Sequence, residues 1–296
     1  VREPVFRGAA TALVTPFTPT GEVDIEKLGE LLEFQITEGI DAVVILGTTG
    51  EASTILTEDH VSTIKAAVDF VQGRIPVIAG AGSNSTVEAI HLTRACEEVG
   101  ADAILSVTPY YNKTSQRGLV THFTAIAEVT SLPIILYNVP SRTNLNIDPD
   151  TTGELSRIEN IVAVKECHTE QMGAVQAATE PDFHLYTGED AQIIPLLGWG
   201  GIGAISVMSN VIPADVHTLV TSWLAGDHDT ARQIQLKTLP LVKALFSEVN
   251  PIPVKEALNI LGFNVGEPKL PLVPASDNTR ELLTAALKQY GVPSRP

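Results

Sequence analysis

Residues 161–168 read IVAVKECH: four aliphatic residues in a row, then a lysine. A strand with one wet face alternates apolar and polar residues. A short continuous apolar run instead marks a strand covered on both faces, as in parallel sheets flanked by helices. Runs of the same kind recur along the chain: ATALVTPF (10–17), AVVILG (42–47), PVIAGAG (76–82), AILSVTP (103–109), PIILYNVP (133–140), FHLYTGE (183–189) and GAISVM (203–208). Amphipathic segments such as DIEKLGELLEFQITEG, TEDHVSTIKAAVDFV and STVEAIHLTRACEEVG lie between them. Several open on Ser, Thr or Asp and close near Gly, as capped helices do. Eight βα units in about 220 residues fit the α/β class and a (β/α)8 TIM barrel. A doubly wound open sheet is the alternative, and the even spacing of the strands favours closure. The strand signal stops near residue 225. DHDTARQIQLKTLPLVKALFSEV, PIPVKEALNILG and DNTRELLTAALKQYG then read as three more helices. The expected organisation is a catalytic barrel over 1–224 with a C-terminal helical region, 225–296, packed on it.

Bulk properties narrow the function. The formal net charge of −16 argues against nucleic acid and anionic membrane surfaces as partners. No run of eighteen apolar residues is present, so no transmembrane helix is expected. The amino-terminal VREPVFRGAATALVTPF lacks a basic region leading into a long apolar stretch, so no signal peptide is expected either. Cys96 and Cys167, the two cysteines, make no disulfide framework, and no Cys/His spacing suits zinc. No metal site is expected, and a reducing cytoplasm is. An acidic chain that acts on an anion needs a local cationic or donor-rich site. GWGGIG (198–203) matches a dinucleotide fingerprint in letters only. A helical segment precedes it and a strand follows, the reverse of the required order, so it reads as a turn.

In such barrels chemistry sits at the carboxyl ends of the strands. Those ends carry GTTGE (47–51), TPYYN (108–112), YNVPSR (137–142), KE (165–166) and TGED (187–190). Each motif alone has a plain structural reading: a tight turn for Thr48–Thr49, a covering pair for Tyr110–Tyr111, a core phenol for Tyr137, a surface charge for Arg142. Glu51 and Glu166 read as caps or supporting acceptors. Convergence on one rim favours chemistry. Lys165 is the only one of nine lysines inside a strand candidate. Strict alternation puts Ile161, Ala163 and Lys165 on one face and Val162, Val164 and Glu166 on the other, with Lys165 pointing into the barrel near its open end. A lysine desolvated there has a lowered pKa and becomes a nucleophile toward ketones. Nearby phenols can move the protons of carbinolamine formation and dehydration. Thr48 and Thr49 can offer hydroxyls and backbone N–H groups to a small carboxylate. The residues thus spell a Schiff-base enzyme for a 2-oxo acid that uses no metal or organic cofactor.

GTTGE, TPYYNK, YNVPSRT, VAVKE and NPIPVKEAL, in that order, resemble the dihydrodipicolinate synthases, members of the pyruvate-dependent class I aldolase family that includes N-acetylneuraminate lyase. The resemblance runs from about Gly8 to Gly291. It implies condensation of pyruvate with L-aspartate 4-semialdehyde to 4-hydroxy-tetrahydrodipicolinate, the committed step of diaminopimelate and lysine synthesis. It makes Lys165 the Schiff-base residue and Tyr137 the central proton carrier. Thr48 would link Tyr137 to Tyr111, which would reach in from a neighbouring subunit of a homotetramer built from two tight dimers. Arg142 would hold the semialdehyde carboxylate and Thr49 the pyruvate carboxylate, with Gly188 and the backbone of Ile205 lining the pocket. His60, Asn84, Glu88 and Tyr110 would form an allosteric lysine site.

The chain departs from the family pattern at Glu189, where aspartate is common, and at Cys167–His168, for which packing is expected. It also departs at Ala52 and Thr57 beside the implied lysine site. A sugar-acid aldolase or dehydratase of the same family would share barrel and lysine, but Arg142 and the Tyr110–Tyr111 pair favour the semialdehyde. An inactive sensor of pyruvate or lysine should have lost Lys165 or a relay residue, and none is missing.

Overall fold

Each apolar run of the sequence contributes a strand. The computed structural model describes residues 1–295. Its strands are β1 (Gly8–Ala12), β2 (Ala42–Ile45), β3 (Val77–Gly80), β4 (Ala103–Val107), β5 (Ile134–Asn138), β6 (Ile161–Glu166), β7 (His184–Thr187) and β8 (Gly203–Ser206). Each pairs in parallel with the next, and β1 pairs with β8, which closes a (β/α)8 barrel. Most of the strands are shorter than the apolar runs. β1, for example, ends at Ala12, with one further bond from Leu13 N to Val44 O, while Leu13, Val14 and Phe17 stay buried beyond it. At the rim, hydrophobicity reports cover by neighbouring segments rather than strand pairing.

A helix follows every strand: Ile25–Thr37, Thr57–Val71, Thr86–Glu98, Gln116–Ala127, Pro149–Leu155, Met172–Ala178, Ile193–Gly198 and Pro213–Leu224. Asp24, Ser85 and Ser115 cap their helices by accepting from backbone N–H groups three residues on. GWGGIG is a helix-to-strand turn, with Gly200 at φ 93° between the helix ending at Gly198 and β8.

Two apolar layers result. Leu31, Ile64, Phe123, Leu155 and Leu219 lie with the outward strand residues between barrel and helices. Ala10, Val44, Ile78, Leu105, Ile135, Ala163, Tyr186 and Ile205 fill the lumen, and Phe6 closes its lower end by stacking on Tyr186 at 4.3 Å.

Strict alternation fails at one place in β6. Ile134 pairs with Ile161 but Ile135 pairs with Ala163, so Val162 is an extra residue on β6. Ile161 therefore belongs to the outer layer and Val162 to the inner one, the reverse of the sequence expectation. A bulge of this kind shifts the parity of every later residue. Beyond it Ala163 faces inward and Val164 outward, and Lys165 follows Ala163 into the mouth of the barrel.

After Leu224 come three further helices, His228–Leu245, Ile252–Ile260 and Asp277–Tyr290. None of the described helices is long and apolar enough to cross a membrane. The middle one carries the most deeply buried lysine of the chain, which the sequence reading passed over. Lys255 is fully buried, and its Nζ donates to Glu51 Oε1 at 2.9 Å, Thr15 O at 3.0 Å and Glu267 O at 3.1 Å. All three ammonium donors are used. Burial lowers the Lys255 pKa, and the Glu51 carboxylate works against that shift. Removing one member of such a pair strands the other, at a cost of roughly 3–5 kcal/mol. The pair fastens the loop after β2 to the C-terminal helices.

Candidate active site

The rim loops bring most of the sequence-predicted residues together. Tyr137 on β5 and Lys165 on β6 are register partners. Both are 6 % exposed, and Lys165 Nζ lies 4.2 Å from the centre of the Tyr137 ring. The ring face offers the ammonium a partial substitute for water. Among the described residues no carboxylate forms an ion pair with Lys165, in contrast to Lys255. Burial raises the Tyr137 pKa; the positive charges of Lys165 and Arg142 and a hydrogen bond with Thr48 oppose that shift. The phenol is therefore protonated at neutral pH, with Thr48 as its hydrogen-bond partner.

Tyr137 also lines a cavity of about 390 Å³ with Thr48, Arg142, Leu105 and Val139. Lys165 is not among the residues that line this cavity. Thr49 is buried and accepts from Asn250 Nδ2 at 3.0 Å. Arg142, on the short helix Pro140–Thr143, donates to the main-chain oxygen of Asn250 at 3.1 Å and is otherwise open to solvent. Ile205 is fully buried in the lumen.

Glu51 and Glu166 are supporting acceptors, as the sequence suggested, though neither caps a helix with its side chain. Behind Lys165, Glu166 accepts from His168 N at 2.7 Å, Asn138 Nδ2 at 2.8 Å and Gln171 Nε2 at 2.9 Å. These bonds tie the ends of β5 and β6 together on the helix side. Asp190, which the sequence reading did not single out, is buried and accepts from Val207 N and Met208 N at 3.1 and 2.7 Å, fixing the turn after β8. Cys167 and the Lys165 stem both lie against Gly188, and burial raises the thiol pKa to about 12, so it is an inert thiol. The Glu189 pKa is raised by burial and by Asp190, with Lys165 opposing.

One predicted residue stands apart from its own site. Tyr111 is 93 % exposed with φ 70° and projects outward. Of the implied lysine-site residues, His60, Glu88 and Tyr110 line the far part of the same cavity. Gly80 O lies 2.6 Å from His60 Nε2, and burial lowers the His60 pKa. Asn84 donates to Tyr110 O at 3.1 Å, and Thr57 donates to Glu88 at 3.3 Å.

Fold and site thus define a (β/α)8 barrel with a desolvated lysine and a phenol at its open end. Residues 5–290 match the dihydrodipicolinate synthetase family, and the chain belongs to that family. It is 54 % identical to the 4-hydroxy-tetrahydrodipicolinate synthase of Acetivibrio thermocellus, over 99 % of this chain and 100 % of that one. Two solved relatives superpose closely. The chloride-inhibited dihydrodipicolinate synthase of Acinetobacter baumannii, complexed with pyruvate, gives a TM-score of 0.94 at 42 % identity, covering 97 % of this chain and 99 % of that one. The enzyme of Cyanidioschyzon merolae with lysine bound gives 0.95 at 40 % identity, covering 98 % and 100 %.

The packing around Lys165 yields a direct test. A Cβ on Gly188 would stand 2.4 Å from Cys167 Sγ and 2.6 Å from Lys165 Cε. Gly188→Ala must push the lysine stem aside, and a displacement of about 1 Å can cost on the order of a hundredfold in rate. The expected outcome is a loss of at least that order in kcat, with the circular dichroism spectrum unchanged. Wild-type kcat in Gly188→Ala would contradict this geometry of Lys165.

Proposed function

We propose that the chain condenses pyruvate with L-aspartate 4-semialdehyde to 4-hydroxy-tetrahydrodipicolinate through a Schiff base on Lys165. The observation that carries the reading is the pairing of buried Lys165 with Tyr137, beside Thr48, Thr49 and Arg142, at the open end of the barrel. The Lys165 amine adds to the pyruvate ketone, and loss of water gives the imine. Removal of a methyl proton gives the enamine, whose carbon attacks the aldehyde and leaves an alkoxide that takes a proton. The amine of the semialdehyde then adds to the imine carbon, closes the ring and expels Lys165. One water leaves for each product formed. Tyr137 carries protons in these steps, because its hydroxyl can both donate and accept. Thr49 receives the pyruvate carboxylate and Arg142 that of the semialdehyde. A guanidinium gives an acidic chain the local positive charge that an anionic substrate needs.

The reading also supplies a place for Tyr111. Leu56, Val87 and Tyr111 are exposed at 77 %, 79 % and 93 %. Their segments adjoin, since Thr57 bonds Glu88 and Asn84 bonds Tyr110. This face joins two subunits, each inserting Tyr111 into the other's site toward Thr48, and two such dimers make a cytoplasmic homotetramer. Lysine binding at His60, Asn84, Glu88 and Tyr110 is the regulatory part of the same reading.

Pyruvate consumption is expected to depend on L-aspartate 4-semialdehyde in an assay coupled to an NADPH-dependent reductase of the product. Turnover with a sugar-acid aldehyde instead would overturn the choice of substrate. Tyr111→Phe and Lys165→Ala are each expected to be nearly inactive, and mixed oligomers of the two to regain activity, since one hybrid site is intact. No recovery would contradict a tyrosine supplied in trans. Titration with lysine is expected to lower turnover saturably; unchanged activity at saturating lysine removes the regulatory part alone.

A further inference from the structure

NPIPVKEAL, residues 250–258, carries part of the family resemblance, yet no step of the reaction uses it. Its first residue lies 201 residues from Thr49 and 108 from Arg142, the two rim residues it meets. Asn250 is 7 % exposed. Its side-chain amide donates to Thr49 Oγ1 at 3.0 Å, and its main-chain oxygen accepts from the Arg142 guanidinium at 3.1 Å. We propose that Asn250 is a positioning residue that sets both carboxylate-holding groups of the site, Thr49 through its amide and Arg142 through its carbonyl.

The argument is one of donors and acceptors. A threonine hydroxyl has one proton to give. By accepting from the Asn250 amide, Thr49 keeps that proton for a substrate carboxylate, and the amide limits the directions in which it can point. An aspartate at 250 reverses the arrangement: it has no donor when ionised, so Thr49 must donate to it and turn away from the substrate. The other amide atom, Asn250 Oδ1, is buried without a partner among the described residues. The anchoring is rigid on both sides. Glu51 accepts from Lys255 Nζ with one oxygen and from Lys269 N at 2.8 Å with the other, and Thr15 donates to Gly50 O at 2.6 Å. The Thr49 loop is thus clamped to the segment that carries Asn250, and its alignment does not depend on substrate.

The inference rests on the roles given above to Thr49 and Arg142. Its test separates the two pyruvate-side and semialdehyde-side half-reactions. The carbonyl bond to Arg142 survives any side-chain change, so the loss should fall on pyruvate. A hydrogen bond to a charged group contributes about 1.5–3 kcal/mol, which is on the order of ten- to a hundredfold. Asn250→Asp and Asn250→Ala are therefore expected to lower kcat/KM for pyruvate by about that factor and to raise the pyruvate concentration for half-maximal borohydride inactivation equally. The kcat/KM for the semialdehyde should change by less than about threefold, since the Arg142 contact is kept. In a Thr49→Val background the same substitutions should add almost nothing, because the residue acts through that hydroxyl. Unchanged pyruvate parameters, or a loss that simply adds to that of Thr49→Val, would overturn the proposal. A Thr49→Val protein that itself takes up pyruvate normally would instead defeat the assigned role of Thr49, and Asn250 with it. Wild-type protein that traps pyruvate but ignores the semialdehyde would defeat only the choice of aldehyde, leaving the pyruvate arm of the test intact. Thermal melting of each variant distinguishes misfolding, and Asn250→Ser supplies a milder loss of the amide if the others do not fold.

Discussion

Tyr137 and Lys165 meet because β6 carries one residue more than β5 where the two strands pair. Val162 is that residue, and it reverses the parity of everything after it. Ile161 packs outward under the helices, while Lys165, four positions later, turns into the barrel mouth. Without the extra residue, an outward Ile161 would imply an outward Lys165, on the helix side of the barrel and away from Tyr137. With it, the ammonium lies against the face of the Tyr137 ring, at a depth where it is largely desolvated. Closure of the barrel holds this register, since neither strand has a free edge along which to slide.

Much of this was legible in the sequence, and what was not has physical reasons. Covered parallel strands leave a simple mark in aliphatic runs such as AVVI and IVAV, and their even spacing gave the barrel. Lys165, Tyr137, Thr48, Thr49 and Arg142 could be placed because chemistry gathers at one end of every strand. Two things were hidden. A bulge adds no distinctive residue, so alternation could not reveal the exchange of Ile161 and Val162. Lys255 and Asn250 lie on the C-terminal helical side, and their partners Glu51 and Thr49 are separated from them by most of the chain. Periodicity carries no information about such contacts. Lys255 also has the polar neighbour Glu256 and sits in a helix, where a lysine raises no suspicion.

The two buried lysines do different work. Lys255 spends every donor on Glu51 and two carbonyls, which fixes the loop of Thr48 and Thr49 against the C-terminal helices. Lys165 has no ion-pair partner among the described residues and is held by packing against Tyr137, Cys167 and Gly188. A fully paired ammonium is structural; an unpaired one beside a cavity is available for reaction. The same economy of charge appears at the rim. On a chain of net charge −16, one guanidinium and a few hydroxyls are concentrated at the open end of the barrel.

The central claim, that Lys165 and not another lysine bonds to pyruvate, is tested most directly by borohydride reduction in the presence of pyruvate, followed by peptide mapping. The account predicts one reduced pyruvate adduct per chain, on the peptide containing Lys165. An adduct on Lys255 or any other lysine, or no adduct in folded protein, would contradict it.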